Sequence, residues 1–170
     1  MCEKILLRMV TYMNQLNIRK ALKSETKDVL YFIKELAKFE KLEDEVKTNK
    51  EELMKNIFDS NYAEVLLLEV DKKKIGFCLY FYTFSTFEGK PSLYLEDLYI
   101  IPEERSKGYG KETLKYLANV ANEKGCSRFE WSCLDWNKKA IEFYEKFGAI
   151  PMTDWVLFRL EGKNLKKHIK

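Results

Sequence analysis

Leu95-Glu96-Asp97-Leu98-Tyr99-Ile100-Ile101-Pro102-Glu103-Glu104-Arg105-Ser106-Lys107-Gly108-Tyr109-Gly110 is the stretch whose reading decides the fold. Its first part belongs to an apolar strand, Leu93 to Ile101, that carries two carboxylates, Glu96 and Asp97. Its second part is a glycine turn, and an amphipathic helix follows from Gly108 to Lys124, with Leu114, Leu117, Ala118 and Ala121 on one face. Glycines let backbone N–H groups turn inward, and a helix N-terminus adds roughly half a positive charge. Strand, turn and helix start together make an anion site, with carboxylates one strand upstream. Such a layout suits an enzyme that holds a phosphorylated cofactor and removes a proton from a substrate.

Outward from this centre, Asn17 to Lys20 reads as a short strand. Ser24 and Thr26 are N-cap candidates for a helix through Glu40, with Val29, Phe32, Ile33, Leu36 and Phe39 on one face. A second helix is expected over Asn49 to Phe58. Ala63 to Val70 and Ile75 to Tyr82 form a hairpin, and Ser85 to Pro91 a loop. Downstream, the pattern predicts a strand over Phe129 to Leu134, a helix over Asn137 to Phe147 ended by Gly148, and a last strand over Trp155 to Leu160. The order β-α-α-β-β-β followed by α-β-α-β is that of an α/β domain with a mixed sheet and helices on both faces.

The local signals each leave an alternative open. Arg-x-x-Gly-x-Gly alone is equally well explained by a turn with convenient glycines, and its place between strand and helix strengthens it. A carboxylate in an apolar strand costs several kcal/mol unless paired or hydrated. Glu96 and Asp97 therefore read either as salt-bridge partners or as a base in a wet pocket. Tyr144 reads either as core or as a proton donor at a wet site.

Taken together, these pieces resemble the GNAT superfamily of N-acetyltransferases. Arg105-Ser106-Lys107-Gly108-Tyr109-Gly110 matches its acetyl-CoA signature, and the run from Asn137 to Ala149 matches its second signature. Ile33 to Glu40 and Tyr94 to Asp97 look like the spermidine/spermine (diamine) and thialysine N-acetyltransferase branch. Ser85-Thr86-Phe87, Gly125-Cys126-Ser127 and Leu134 to Asn137 look more like its thialysine side. The resemblance spans Asn17 to Leu160. It implies a mixed, mostly antiparallel sheet and acetyl transfer from acetyl-CoA to an amine, with no metal. It implies Glu96 as base and Tyr144 as acid. Backbone amides of Leu98, Tyr99 and Ile100 would hold the oxyanion. The pyrophosphate would sit on the turn of Arg105, Ser106, Lys107, Gly108, Tyr109, Gly110 and Lys111, with Asn137 and Ala140 on the pantetheine and adenosine side. Phe39 and Glu40 match the branch's aromatic-acidic substrate pair, and Glu96 and Asp97 complete the substrate wall. Ser85 and Phe87 replace an acidic and a Trp position of the polyamine member, and the chain is about two residues short near Asp154. Both departures favour a shorter amine or a lysine-like amino acid. A protein Lys or N-terminal acetyltransferase and a non-catalytic acetyl-CoA sensor are the competing readings.

Bulk composition narrows the class further. The chain has 170 residues, 46% apolar, with 10 Tyr and 11 Phe, so it has the material for a full core. A net charge of +3 with scattered lysines does not argue for nucleic acid. The only histidine, His168, lies near the C-terminus, which disfavours a His-dependent triad. Cys2, Cys78, Cys126 and Cys133 lack metal-ligand spacing and read as reduced thiols of a cytoplasmic protein. No apolar run has the length to cross a bilayer. Residues 1–16 are expected to be an N-terminal extension or a short added helix, and residues 17–170 a single acetyltransferase domain. The branch is dimeric, so a homodimer is expected, with a small-molecule amine as the other partner.

Overall fold

The computed structural model describes residues 15–169. Most of the expected N-terminal extension, with Cys2, therefore lies outside the described residues. Five strands form one sheet in the order β1 to β5: β1 Asn17–Lys20, β2 Glu64–Val70, β3 Lys73–Ser85, β4 Lys90–Ile100 and β5 Arg128–Trp131. The first four pair antiparallel. β5 runs parallel to β4, because the intervening helix α3, Tyr109–Glu123, carries the chain back to the starting end of β4.

The strand β2 explains how the two faces are covered. Its run Glu64-Val65-Leu66-Leu67-Leu68-Glu69-Val70 is apolar almost throughout, as a strand buried on both faces must be. Val65 and Leu67 pack with Phe77, Tyr99 and, from helix α1 (Thr26–Glu40), Val29 and Phe32. Phe32 stacks on Phe77 at 6.0 Å between ring centroids, and burying one such ring contributes about 1.5–3 kcal/mol. Ile57 joins this core from a π-helical turn, Met54–Asp59, that continues helix α2, Lys50–Leu53. Leu68, Val70 and Ile75 pack instead with Tyr109 at the start of α3.

The hairpins are tighter than the sequence pattern predicts. Asp71 and Lys72 both take positive φ, 50° and 64°, which matches the strand twist in a two-residue turn. The expected loop over Ser85 to Pro91 shrinks to its tip, since Thr83, Phe84 and Ser85 pair with Ser92, Pro91 and Lys90. Pro91 is tolerated because its missing donor would face the β5 side, where pairing begins only at Ser92. Its carbonyl on that side accepts the Ser127 N–H at 2.9 Å.

The chain divides after Ser132 into two compact units. The second, Cys133–Lys170, contains α4, Lys138–Phe147, and a short α5, Gly162–Lys166. Here two expectations fail. β5 stops at Trp131, three residues short of the expected end. Trp155 to Leu160 forms no strand, and its apolar side chains are exposed, Phe158 by 90%. An apolar run marks a segment able to pair. It becomes a strand only where a neighbouring edge supplies the other half of the ladder.

Candidate active site

β4 holds the two carboxylates, and its irregularity decides where they point. Leu79 of β3 stands opposite Asp97, yet the next residue, Tyr80, stands opposite Leu95. Glu96 is the extra residue of a β-bulge. Adjacent residues of a regular strand face opposite sides of the sheet. With the bulge between them, Glu96 and Asp97 both line one pocket of about 480 Å³. The opposite wall is the end of α1, with Ile33, Leu36 and Glu40. α1 stops at Lys41, whose φ of 60° turns the chain back, and Leu42 N–H donates to the Ala37 carbonyl at 2.8 Å. The returning segment adds Glu45, Lys47 and Thr48 to the pocket's lining.

The pocket is electrostatically unbalanced. Burial pushes the Asp97 carboxyl up to about 7, and the charges of Glu96 and Glu40 add to the effect. Burial also raises Glu40. Among the described residues no ion pair reaches Glu40, Glu96 or Asp97. The bland expectation, a salt bridge to Arg or Lys, is not what the structure builds.

Beyond Leu95 the edge of β4 opens. β5 pairs with β4 only from Ser92 to Leu95, so the side of Glu96 to Ile100 turned away from β3 has no ladder partner among the described residues. This is the stretch that holds Leu98, Tyr99 and Ile100. The chain then passes through a single 3₁₀ turn, Pro102–Glu104, into the glycine turn. Ser106 and Gly108 take φ of 62° and 90°. No atom stands within 4 Å of where a Gly108 Cβ would be, so the glycine serves the backbone conformation and leaves open space before the helix. No side chain caps α3, which leaves the amides of Gly110 and Lys111 to an outside acceptor. Lys107 pairs with Glu104 at 2.9 Å.

Arg105 is engaged within the protein. Its guanidinium lies 4.5 Å from the Phe39 ring centroid and 5.3 Å from that of Tyr99. Its Nε donates to the Ile100 carbonyl at 2.7 Å. Arg105 thus ties the end of α1, where Phe39 and Glu40 sit, to β4 and the glycine turn.

The remaining expected residues belong to the second unit. Asn137 caps α4, its Oδ1 accepting the Ala140 N–H at 3.3 Å. Tyr144 is half-buried on the same helix, with its ring 5.4 Å from Phe143. Asp154 is exposed on the loop after α4. Cys78 and Cys126 are free thiols, and burial pushes the Cys78 thiol up to about 12.

Sequence reasoning missed the segment after α1 that lines the pocket. Glu45, Lys47 and Thr48 sit in an irregular segment with no periodicity to mark them. The bulge had one faint signal, a carboxylate pair inside an otherwise apolar strand.

Comparison with known proteins gives the family and the fold. The family described as acetyltransferase (GNAT) matches residues 30–149. Thialysine N-epsilon-acetyltransferase of Sus scrofa is 38% identical over 162 residues, covering 88% of this chain and 95% of that protein. Spermidine/spermine N(1)-acetyltransferase-like protein 1 of Homo sapiens is 31% identical, covering 91% of this chain and 24% of that protein. An integron cassette protein from the mobile metagenome of V. cholerae superposes with a TM-score of 0.76 at 25% identity, covering 89% of this chain and 96% of its own.

Proposed function

The chain belongs to the acetyltransferase (GNAT) family, and from that premise we propose that it transfers an acetyl group from acetyl-CoA to a primary amine of a small cationic substrate. The substrate range is a thialysine- or lysine-like amino acid, a diamine or a polyamine. One observation carries the proposal: Glu40, Glu96 and Asp97 face a single pocket without cationic partners, beside the open edge of β4.

A cationic amine supplies a counterion to Glu40, Glu96 and Asp97, which no ion pair among the described residues reaches. An alkyl ammonium has a pKa near 10.4, so roughly one molecule in a few thousand is neutral at pH 7. Only the neutral amine attacks a carbonyl, so the proton must leave first. Glu96 takes it, through water, and Phe39, Glu40 and Asp97 hold the substrate. Acetyl-CoA supplies the thioester carbonyl and the thiolate leaving group. The uncapped start of α3 and the left-handed residues Ser106 and Gly108 suit a pyrophosphate on the amides from Ser106 to Lys111. The amides of Leu98 to Ile100 stabilise negative charge developing on the carbonyl oxygen. Asn137 and Ala140 line the pantetheine and adenosine side. Tyr144 gives a proton to the departing sulfur, and the second proton of the attacking nitrogen, lost as the amide forms, restores the Tyr144 hydroxyl through water. Direct attack of the amine on the thioester needs no metal.

The relatives named for thialysine support the amino-acid end of the substrate range. The exposed apolar run from Trp155 to Leu160 supports a homodimer. The thiols of Cys78 and Cys126 support a reducing, cytoplasmic setting, and no described helix is long and apolar enough to cross a membrane. The testing experiment measures thiol release from acetyl-CoA with spermidine, spermine, putrescine, lysine, thialysine and a lysine peptide. Release with the free amines is expected. Release with the peptide alone would make it a protein acetyltransferase. Acetyl-CoA binding without release would make it a sensor.

A further inference from the structure

We infer that Arg105 is a positioning residue: acting through Phe39, it sets the end of α1 for the amine, and it is not a ligand of the acetyl-CoA pyrophosphate. The inference rests on the amine-acetylating function proposed above. An arginine at the head of a glycine turn reads as an anion ligand, yet in the fold its side chain is engaged elsewhere. The Arg105 N–H closes the 3₁₀ turn on the Pro102 carbonyl at 3.2 Å. The side chain reaches five residues back, where Nε donates to the Ile100 carbonyl at 2.7 Å. The guanidinium lies 4.5 Å from the Phe39 ring centroid and 5.3 Å from that of Tyr99.

The two rings differ in how they are held. Tyr99 is 4% exposed and packs in the core with Val29 and Phe32 of α1. Phe39 is 40% exposed on the last turn of α1, next to Glu40 and just before the left-handed Lys41 that ends the helix. The guanidinium joins the buried ring to the exposed one. Its planar face suits an aromatic ring, and the bond from Nε to the Ile100 carbonyl orients that plane. An ammonium would offer the charge without the plane. Arg105 thereby holds Phe39, and with it Glu40, against β4. The pyrophosphate is left to the backbone amides of the turn that starts at Ser106, where φ is 62°.

Two substitutions separate the roles. Arg105→Met keeps the length and removes plane and charge, and Arg105→Lys keeps the charge alone. Thiol release is measured with thialysine and with spermidine, and acetyl-CoA binding by calorimetry at low and high salt. In both variants the amine KM should rise about fivefold or more, the scale of a lost cation–ring contact, while the acetyl-CoA Kd stays near the parent's. A phosphate ligand would give acetyl-CoA binding about tenfold weaker in Arg105→Met and recovered in Arg105→Lys. That result, or an amine KM unmoved in both variants, overturns the inference. Phe39→Leu supplies a second arm. Combined with Arg105→Met, it should raise the amine KM no further than Phe39→Leu alone, because each change removes the same contact. Effects that multiply would mean that Arg105 acts elsewhere, and would overturn the inference while the acetyltransferase function stands. If the parent acetylates neither amine, that function fails, and Arg105 is judged by binding and unfolding instead. Non-additive urea midpoints for Arg105→Met, Phe39→Leu and their combination, with acetyl-CoA affinity unaltered in Arg105→Met, support the role. Additive midpoints, or acetyl-CoA binding lost in Arg105→Met, overturn it.

Discussion

Two clusters of carboxylates in this molecule use the same side chains to opposite ends. In the first, Arg19 on β1 makes a two-pronged contact with Glu25, both bonds at 2.8 Å, and reaches Glu69 on β2. Lys74 joins Glu25 at 2.7 Å and Asp28 at 2.6 Å. The Arg19 guanidinium holds Glu25 far below the usual carboxylate range, with Lys74 adding to it, and lowers Glu69 as well. In the second cluster, Glu40, Glu96 and Asp97 share a pocket with no ion pair among the described residues, and the Asp97 carboxyl rises to about 7. The first cluster ties β1, β2 and the start of α1 together. The second holds charge that no ion pair among the described residues offsets, and that the proposed amine substrate would neutralise. What separates structural from functional carboxylates here is whether the fold supplies the counterion.

The largest expected effect breaks the second cluster's chemistry. Glu96→Gln keeps the shape and removes the base, so turnover at pH 7 should fall about a hundredfold or more. The loss should shrink as pH rises, because neutral amine then forms without help. A pH–rate profile decides it: an equal loss at pH 7 and pH 9.5 would mean that Glu96 only binds the substrate's charge. Tyr144→Phe, with the ring retained, should lower turnover and leave acetyl-CoA binding near the parent value. A near-parental rate would return Tyr144 to the core.

A smaller effect belongs to the first cluster, and it should touch stability alone. Arg19→Met leaves Glu25 and Glu69 short of a partner, and charged hydrogen bonds of this kind are worth about 1.5–3 kcal/mol. Urea unfolding at pH 7 should show a loss of about 2 kcal/mol. The kcat of the folded protein should stay near the parent's. Glu25 is depressed from an ordinary value of 4.5, so its contribution is present above pH 4.5 and is lost as pH falls. The stability gap between parent and variant should therefore narrow on acidification. A gap that is constant with pH would remove the ion pairs from the explanation.

The two clusters were not equally legible in the sequence. The strand-turn-helix passage could be read because its elements are local: glycines permit the turn, and apolar period marks the strand and helix. The carboxylates Glu96 and Asp97 could be located but not aimed. Their common orientation depends on a one-residue misfit between β3 and β4, a property of two strands that neither states alone. Arg105 reads naturally as an anion ligand, while its contacts to Phe39 and Tyr99 arise only when α1 and β4 meet. The Arg19 network joins residues up to 50 positions apart and leaves no local trace. The expected strand at Trp155 to Leu160 fails because an apolar run names no pairing partner, and among the described residues it forms no ladder.

Asp97→Asn gives the smallest shift and the sharpest comparison, because it should reverse the sign seen in the first cluster. The Asp97 pKa rises from 3.8 to about 7 in the folded protein. The folded state therefore holds this proton more tightly than the unfolded chain does. That contribution is fully present below pH 3.8 and is lost as pH rises to about 7. Above pH 7 the ionised Asp97 is a burden on the fold, and an amide of the same shape removes it. At pH 8 the variant should be more stable than the parent by about 1 kcal/mol, within the scale of roughly 1.4 kcal/mol per pKa unit. The advantage should fade on acidification and vanish where both side chains are neutral. At the same time the KM for the amine should rise, since a cation-holding charge is gone. Urea midpoints across this pH range, with substrate titrations beside them, measure both. If Asp97→Asn loses stability at pH 8, then Asp97 is a satisfied structural carboxylate like Glu25, and the contrast between the two clusters collapses.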